Sequence, residues 1–194
     1  MKKIVKKVMK FLIRKLYIKN DILILKKKSH QPLESKIKNL NIKLLDKNEV
    51  LTLPNRKAQI LLSDLQRGNQ IYGILIDGKV VHYSCISLNS QKIGEINRIF
   101  NIPQNGVYIY NCFTLEEYRG KNLYYNMLSY LDFKFRYLNK FIVVSTKNTI
   151  SHHVIKKIGF NEIAYFKYRK ILNMHKLNEV KMCDEIKDKL EIIK

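Results

Sequence analysis

The chain has 194 residues, of which 46% are hydrophobic and 27% charged, and its formal net charge is +21. That length supports one domain with a substantial core, and the composition excludes a disordered or collagen-like chain. Three cysteines without paired spacing (Cys85, Cys112, Cys183) and five scattered histidines (His30, His82, His152, His153, His175) argue against a disulfide framework and a metal site, so no metal is expected.

The charge is concentrated at one end. Residues 1–28 hold ten Lys and Arg14 against Asp21, whereas the remaining 166 residues share +11. Within "MKKIVKKVMKFLIRKLYIK" the longest uninterrupted apolar run is Phe11-Leu12-Ile13, too short for a secretory core or a span. On a helix, Val5, Val8, Met9, Leu12, Ile13 and Leu16 share one side, and Lys3, Lys7, Lys10 and Arg14 another. The expectation is a basic amphipathic arm over residues 1–28. Its helix either lies on an anionic membrane surface through residues 1–19 or packs on its own domain.

Residues 21–28, "DILILKKK", read as a short strand or an extended link, and 38–46 as a strand. Residues 54–67 carry apolar positions at helical spacing between Pro54 and Gly68. "YGILIDGKVVHYSCIS", residues 72–87, places two β-rich runs around Asp77-Gly78 and predicts a tight hairpin. Strands are predicted over 106–115, 140–147 and 161–172, and helices over 122–138 and 149–158. A charge-balanced amphipathic tail over 178–193 is predicted to be helical. The alternation gives an α/β domain over 29–175, with parallel pairing around 107–147 and a helical tail over 176–194. In such a sheet, ligands sit beyond the carboxyl ends of strands, where the next helix starts.

"EEYRGKNLYYNML", residues 116–128, occupies such a junction. A loop entering a helix presents unpaired N–H groups and the positive end of the helix dipole, and Arg119 and Lys121 add charge. Taken alone, the stretch is either an anion seat or a basic turn. "TLEEYRGKNLYYNML", followed after a strand by "STKNTISHHVIKKIGF", resembles the GNAT N-acetyltransferase superfamily. Residues 114–124 fall on that family's V-x-P-x-x-R-G-x-G-x-G/A loop. Asn148, Ser151, Lys157, Gly159 and Phe160 fall on its second motif, and the likeness covers about residues 40–172.

The resemblance implies a mixed, centrally splayed sheet flanked by helices and an acyl-CoA donor, acetyl-CoA first. By this likeness Phe113 and Thr114 pair with the pantetheine arm, and the amides of Arg119, Gly120, Lys121, Asn122, Leu123 and Tyr124 seat the pyrophosphate. Asn148 and Ser151 line the thiol end. Two departures stand out: Asn122 and Tyr124 replace glycine or alanine, and Ile155 stands where a tyrosine acid is common. His152, His153 or Tyr125 are the substitutes for that acid, unless the thiolate leaves unaided. His82 on the hairpin and Glu116 or Glu117 beside the loop are candidate bases; the glutamates are otherwise solvated ion-pair partners.

The implied activity is acetyl transfer to a primary amine in the cytoplasm. The basic arm points to an amino sugar in bacterial surface-polysaccharide assembly at the inner membrane face. A protein amine, an aminoacyl-tRNA amine, or a non-catalytic acyl-CoA, nucleic-acid or lipid module are the alternatives. Nucleic acid is an open but unfavoured partner.

Overall fold

The computed structural model describes residues 17–29, 40–171 and 174–193. Among the described residues, eight strands form one mixed sheet. In chain order they are β1 (Tyr17–Lys27), β2 (Asn41–Leu44), β3 (Gln70–Ile76), β4 (Lys79–Ser87), β7 (Gly106–Thr114), β8 (Asn139–Ser145), β9 (Asn161–Ile171) and β10 (Met174–Met182). Across the sheet they run β10-β9-β1-β8-β7-β4-β3-β2, all antiparallel except the parallel pair β7–β8. Three short strands, β5 (Gln91–Ile93), β6 (Arg98–Phe100) and β11 (Leu190–Ile192), form a second sheet. The helices are α1 (Lys47–Leu51), α2 (Asn55–Gln66), α3 (Leu123–Lys134) and α4 (Thr149–Lys157).

The helices cover both faces. On one, α3 and α4 bury Leu123, Met127, Leu128, Leu131 and Ile155 against Leu25, Ile109 and Ile142. On the other, α1 and α2 bury Val50, Ala58 and Leu61 against Ile71, Tyr83 and Cys85. The rest of that face, under β1, β8 and β9, is closed by the small sheet, through Ile93, Ile96, Phe100 and Ile186. The predicted hairpin forms as expected: Asp77 and Gly78 take φ 50 and φ 74, the left-handed pair that a two-residue turn requires. The predicted helices at 54–67, 122–138 and 149–158 become α2, α3 and α4, each within a few residues of its expected ends.

Two expectations are corrected. Residues 1–16 of the arm lie outside the described residues, but Tyr17, Ile18 and Lys19 are strand, and the boundary expected after residue 28 follows a central strand. β1 lies between β8 and β9, with Ile22 paired to both Ser145 and Phe166. "ILIL" is buried from both sides: Ile22 and Ile24 face the small sheet, Leu23 and Leu25 face α3 and α4. A near-continuous apolar run is the signature of a strand covered on both faces, which is why the segment reads equally as a short strand or an extended link. The tail is likewise not helical. Residues 174–182 form a hairpin with β9, 184–189 a 3-10 turn, and 190–192 pair with β6. Leu177, Met182, Ile186 and Leu190 recur every four or five residues and imitate a helix face, yet Leu177, Met182 and Leu190 reach the core from strands and Ile186 from the 3-10 turn between them. The break expected between 175 and 176 falls inside β10.

Candidate active site

β7 and β8 part company halfway along. Their parallel register runs from Gly106↔Asn139 to Ile109↔Ile142 and stops, while β7 continues to Thr114 and β8 to Ser145. β7 is buried through Ile109 and becomes partly exposed from Tyr110. A bulge helps to turn it away: Asn111 takes φ 47, and the register with β4 slips between Tyr83↔Phe113 and Cys85↔Tyr110. The backbone N–H of Leu115 donates to Val81 O at 3.0 Å. With a period of two, Phe113 aims its backbone groups the same way, toward β4, whereas Cys112 and Thr114 aim theirs into the opening. The expected free pair, Phe113 and Thr114, therefore shifts: Phe113 borders the cleft with its ring packed against Tyr83, and the free amide groups belong to its neighbours.

A cleft of about 570 Å³ fills this opening. Its walls include His82 from β4, Cys112 to Thr114 from β7, Tyr118 to Gly120 and Asn122 from the loop, Leu123 to Tyr125 from α3, and Asn148, Ile150, Ser151 and Val154 at α4. The two sequence motifs are thus brought to one place. Gly120 takes φ 77 with open space where a Cβ would stand, and Asn122 takes φ 58 as the residue before α3. Asparagine sustains the left-handed turn that glycine was expected to supply. No side chain caps the start of α3 among the described residues, so its first N–H groups remain available at the cleft mouth. Asn148 caps α4, its Oδ1 accepting from Ser151 N at 3.1 Å.

Tyr124 does not crowd the mouth. Its ring turns inward and lies 5.9 Å from the His82 ring, tilted by 35°. Its hydroxyl lies close enough to the Cys112 thiol for the two to influence each other, while the thiol donates to Tyr110 O at 3.7 Å. Burial raises the Tyr124 hydroxyl well above the usual tyrosine range, so it stays protonated. His82 is 1% exposed; its Nδ1 lies 2.7 Å from Thr114 Oγ1 and its Nε2 3.2 Å from Ser84 Oγ. Burial lowers its pKa to about 3, which fixes the ring as neutral imidazole. The Cys112 thiol is pushed up to about 11, chiefly by burial, and remains a thiol.

Several expected residues stand apart from the cleft walls. His152 pairs with Glu162 at 2.9 Å, and His153 is exposed. Glu116 is exposed and meets Arg119 at 3.3 Å, an ion-pair partner on the rim. Glu117 pairs with Lys79 at 3.1 Å, and Lys121 lies over the Tyr118 ring at 4.7 Å. Ile155 is a core residue, 1% exposed, so that position supplies no acid. Sequence reasoning missed Ser84, which contacts the buried histidine, and Lys57, whose Nζ sits 3.3 Å from the centre of the Phe113 ring. Lys57 lies 56 positions before Phe113, on another helix, and no local pattern joins them.

No protein-family model and no curated protein matches the chain. Solved structures do. An acetyltransferase of the GNAT family from Novosphingobium aromaticivorans superposes with a TM-score of 0.57 at 17% identity, over 84% of this chain and 66% of that one. One from Colwellia psychrerythraea gives 0.58 at 12%, over 80% and 57%. A GCN5-related N-acetyltransferase-like protein from Streptococcus suis gives 0.57 at 15%, over 86% and 67%. The chain spans 57% to 67% of the length of these three structures. The fold is that of the GNAT acetyltransferases.

Proposed function

We propose that the chain transfers an acetyl group from acetyl-CoA to a primary amine. The observation that carries this reading is the parting of β7 and β8 just beyond Ile109↔Ile142, with a left-handed turn and an uncapped helix start at its mouth. Free strand amides suit the amide groups of pantetheine, and the helix start suits its pyrophosphate. The amine forms the new C–N bond at the thioester carbonyl as the C–S bond breaks. A backbone N–H of Cys112 or Thr114 donates to the developing oxyanion, and the Tyr124 hydroxyl supplies the proton to sulfur and regains one from the proton the amine releases. The acceptor's proton leaves through solvent, because burial lowers the His82 pKa to about 3 and makes it too weak a base, and Glu116 is exposed on the rim, apart from the cleft walls. Asn148 and Ser151 position the thiol end.

The acceptor we favour is an amino sugar in bacterial surface-polysaccharide assembly, met on the cytoplasmic side of the membrane. The charge of residues 1–28 supports that placement, through an anionic lipid surface rather than a span. No helix among the described residues is long and apolar enough to cross a membrane. One observation favours a second reading, a binding module without turnover: the Tyr124 ring occupies the cleft floor. Thermal melting with acetyl-CoA and thiol release over a panel of amines separates the two. A raised melting temperature with thiol release is the expected result. The absence of any shift at saturating CoA removes the enzyme reading.

A further inference from the structure

Basic side chains meet the cleft from two directions. At the start of α3 stand Arg119 and Lys121, and beside them Lys79 on Glu117 and over the Tyr118 ring. The second set arrives from α2. Lys57 Nζ rests 3.3 Å from the centre of the Phe113 ring, and Phe113 lines the cleft. Along β7 the Phe113 side chain points to the face opposite Cys112 and Thr114, where it packs on Tyr83 at 5.7 Å. Lys57 therefore reaches the opening from the α2 face, while the helix start that suits the donor pyrophosphate lies on the α3 face. A donor seated from the α3 side leaves its thioester carbonyl open to approach from the α2 side.

Among the described residues this second set has no acidic counterpart. Arg56 and Lys57 make no ion pair among the described residues, and Arg119 has only the 3.3 Å contact with the exposed Glu116. Lys57 is half-buried, and its pKa is lowered first by that burial, then by the positive fields of Arg119 and Arg56. A partly desolvated cation beside two others is held at a cost that a bound anion removes. The flat guanidinium forks and the point charge of lysine together match phosphate or carboxylate oxygens.

Resting on the acetyltransferase reading, we propose that the amine acceptor carries an anionic group of its own, a phosphate or a carboxylate. Lys57, with Arg56, holds it on the α2 side of the splay. The uncharged part of the acceptor then lies over Phe113, and the amine reaches the opening between Thr114 and β8. This places substrate selection on residues outside the two motifs that shape the donor site.

The test compares matched acceptors with acetyl-CoA and the full chain: a hexosamine against its phosphate ester, and an amino acid against its amide. The anionic member of at least one pair is expected to show a kcat/KM about tenfold higher, falling with added salt. Whichever pair shows it names the anion. Lys57→Met is expected to collapse that ratio while CoA affinity, read by calorimetry, changes less than about twofold. Equal kcat/KM within both pairs, or equal losses on both members in Lys57→Met, overturns the proposal and leaves the acetyltransferase reading standing. If no amine is acetylated, calorimetric titration with the hexosamine phosphate and the amino acid decides. Binding that Lys57→Met abolishes sustains the anion site and sinks the enzyme reading, and the absence of binding ends both.

Discussion

His82 and Gly120 show how single residues carry the site. Buried at the cleft floor, His82 has its folded pKa near 3, below the ordinary value of 6.5. Above pH 6.5 both folded and unfolded states hold it neutral, and it contributes nothing to pH dependence. Below that, only the unfolded state takes up the proton, so stability falls as pH drops from 6.5 toward 3, by about 1.4 kcal/mol per pH unit. Urea unfolding across that range is expected to show this slope in the wild type and to lose most of it in His82→Gln. Equal slopes in the two proteins would remove His82 from the buried neutral state. Gly120 works through backbone rather than charge. Its φ of 77 disfavours any side chain by about 1–2 kcal/mol, and a glutamate there adds a negative charge at the anion seat. Gly120→Glu is expected to abolish CoA binding in calorimetry while the circular dichroism spectrum stays native. Unchanged CoA affinity removes the loop from the donor site.

Among the elements, β1 is the one whose position matters most to the sheet. It bridges β8, which borders the splay, to the β9–β10 hairpin, and its end is pinned by charge. Lys27 Nζ donates to Asp132 at 2.6 Å and to Ile158 O at 2.8 Å, while the fully buried Lys140 lies 3.2 Å from the same carboxylate. Burial lowers the Lys140 pKa, and Asp132 opposes that shift. One carboxylate thus ties α3, β1 and β8 together. Removing it leaves two ammonium groups facing each other in a low-dielectric pocket. Asp132→Ala is expected to cost about 3–5 kcal/mol in chemical denaturation, with part recovered by adding Lys140→Met. A loss under about 1 kcal/mol would mean that the pair is solvent-screened.

For the whole molecule, the legible part of the sequence was the part where local signals and tertiary demands agree. The Asp77-Gly78 turn, the capped α4 and the spacing of α3 each have a local cause, and the two motifs meet in one cleft. Illegible were features set by distant partners. The order of β1 between β8 and β9, the hairpin of β10 and the approach of Lys57 to Phe113 depend on contacts that no window of the sequence contains. The charge of residues 1–28 belongs to this scale too, since the attraction we propose to a lipid surface sums over many groups. Full-length protein is expected to bind anionic vesicles at low salt, and protein lacking residues 1–16 to bind them much less. Equal partitioning in a sedimentation assay would end the membrane reading. The truncation stops short of β1 because removing β1 would open the sheet.

The place of β1 also sets a timetable for the newborn chain. Ile24 leaves the ribosome before both of its neighbours, Val143 and Ala164, which follow about 120 and 140 residues later. At roughly 5–20 residues per second, a sticky β-segment waits on the order of ten seconds with both edges bare. The β2–β4 meander and α2 have no such delay and can close first. A cell making this protein must therefore shield β1 until β8 and β9 are translated, and the penalty for failing is aggregation rather than slow catalysis.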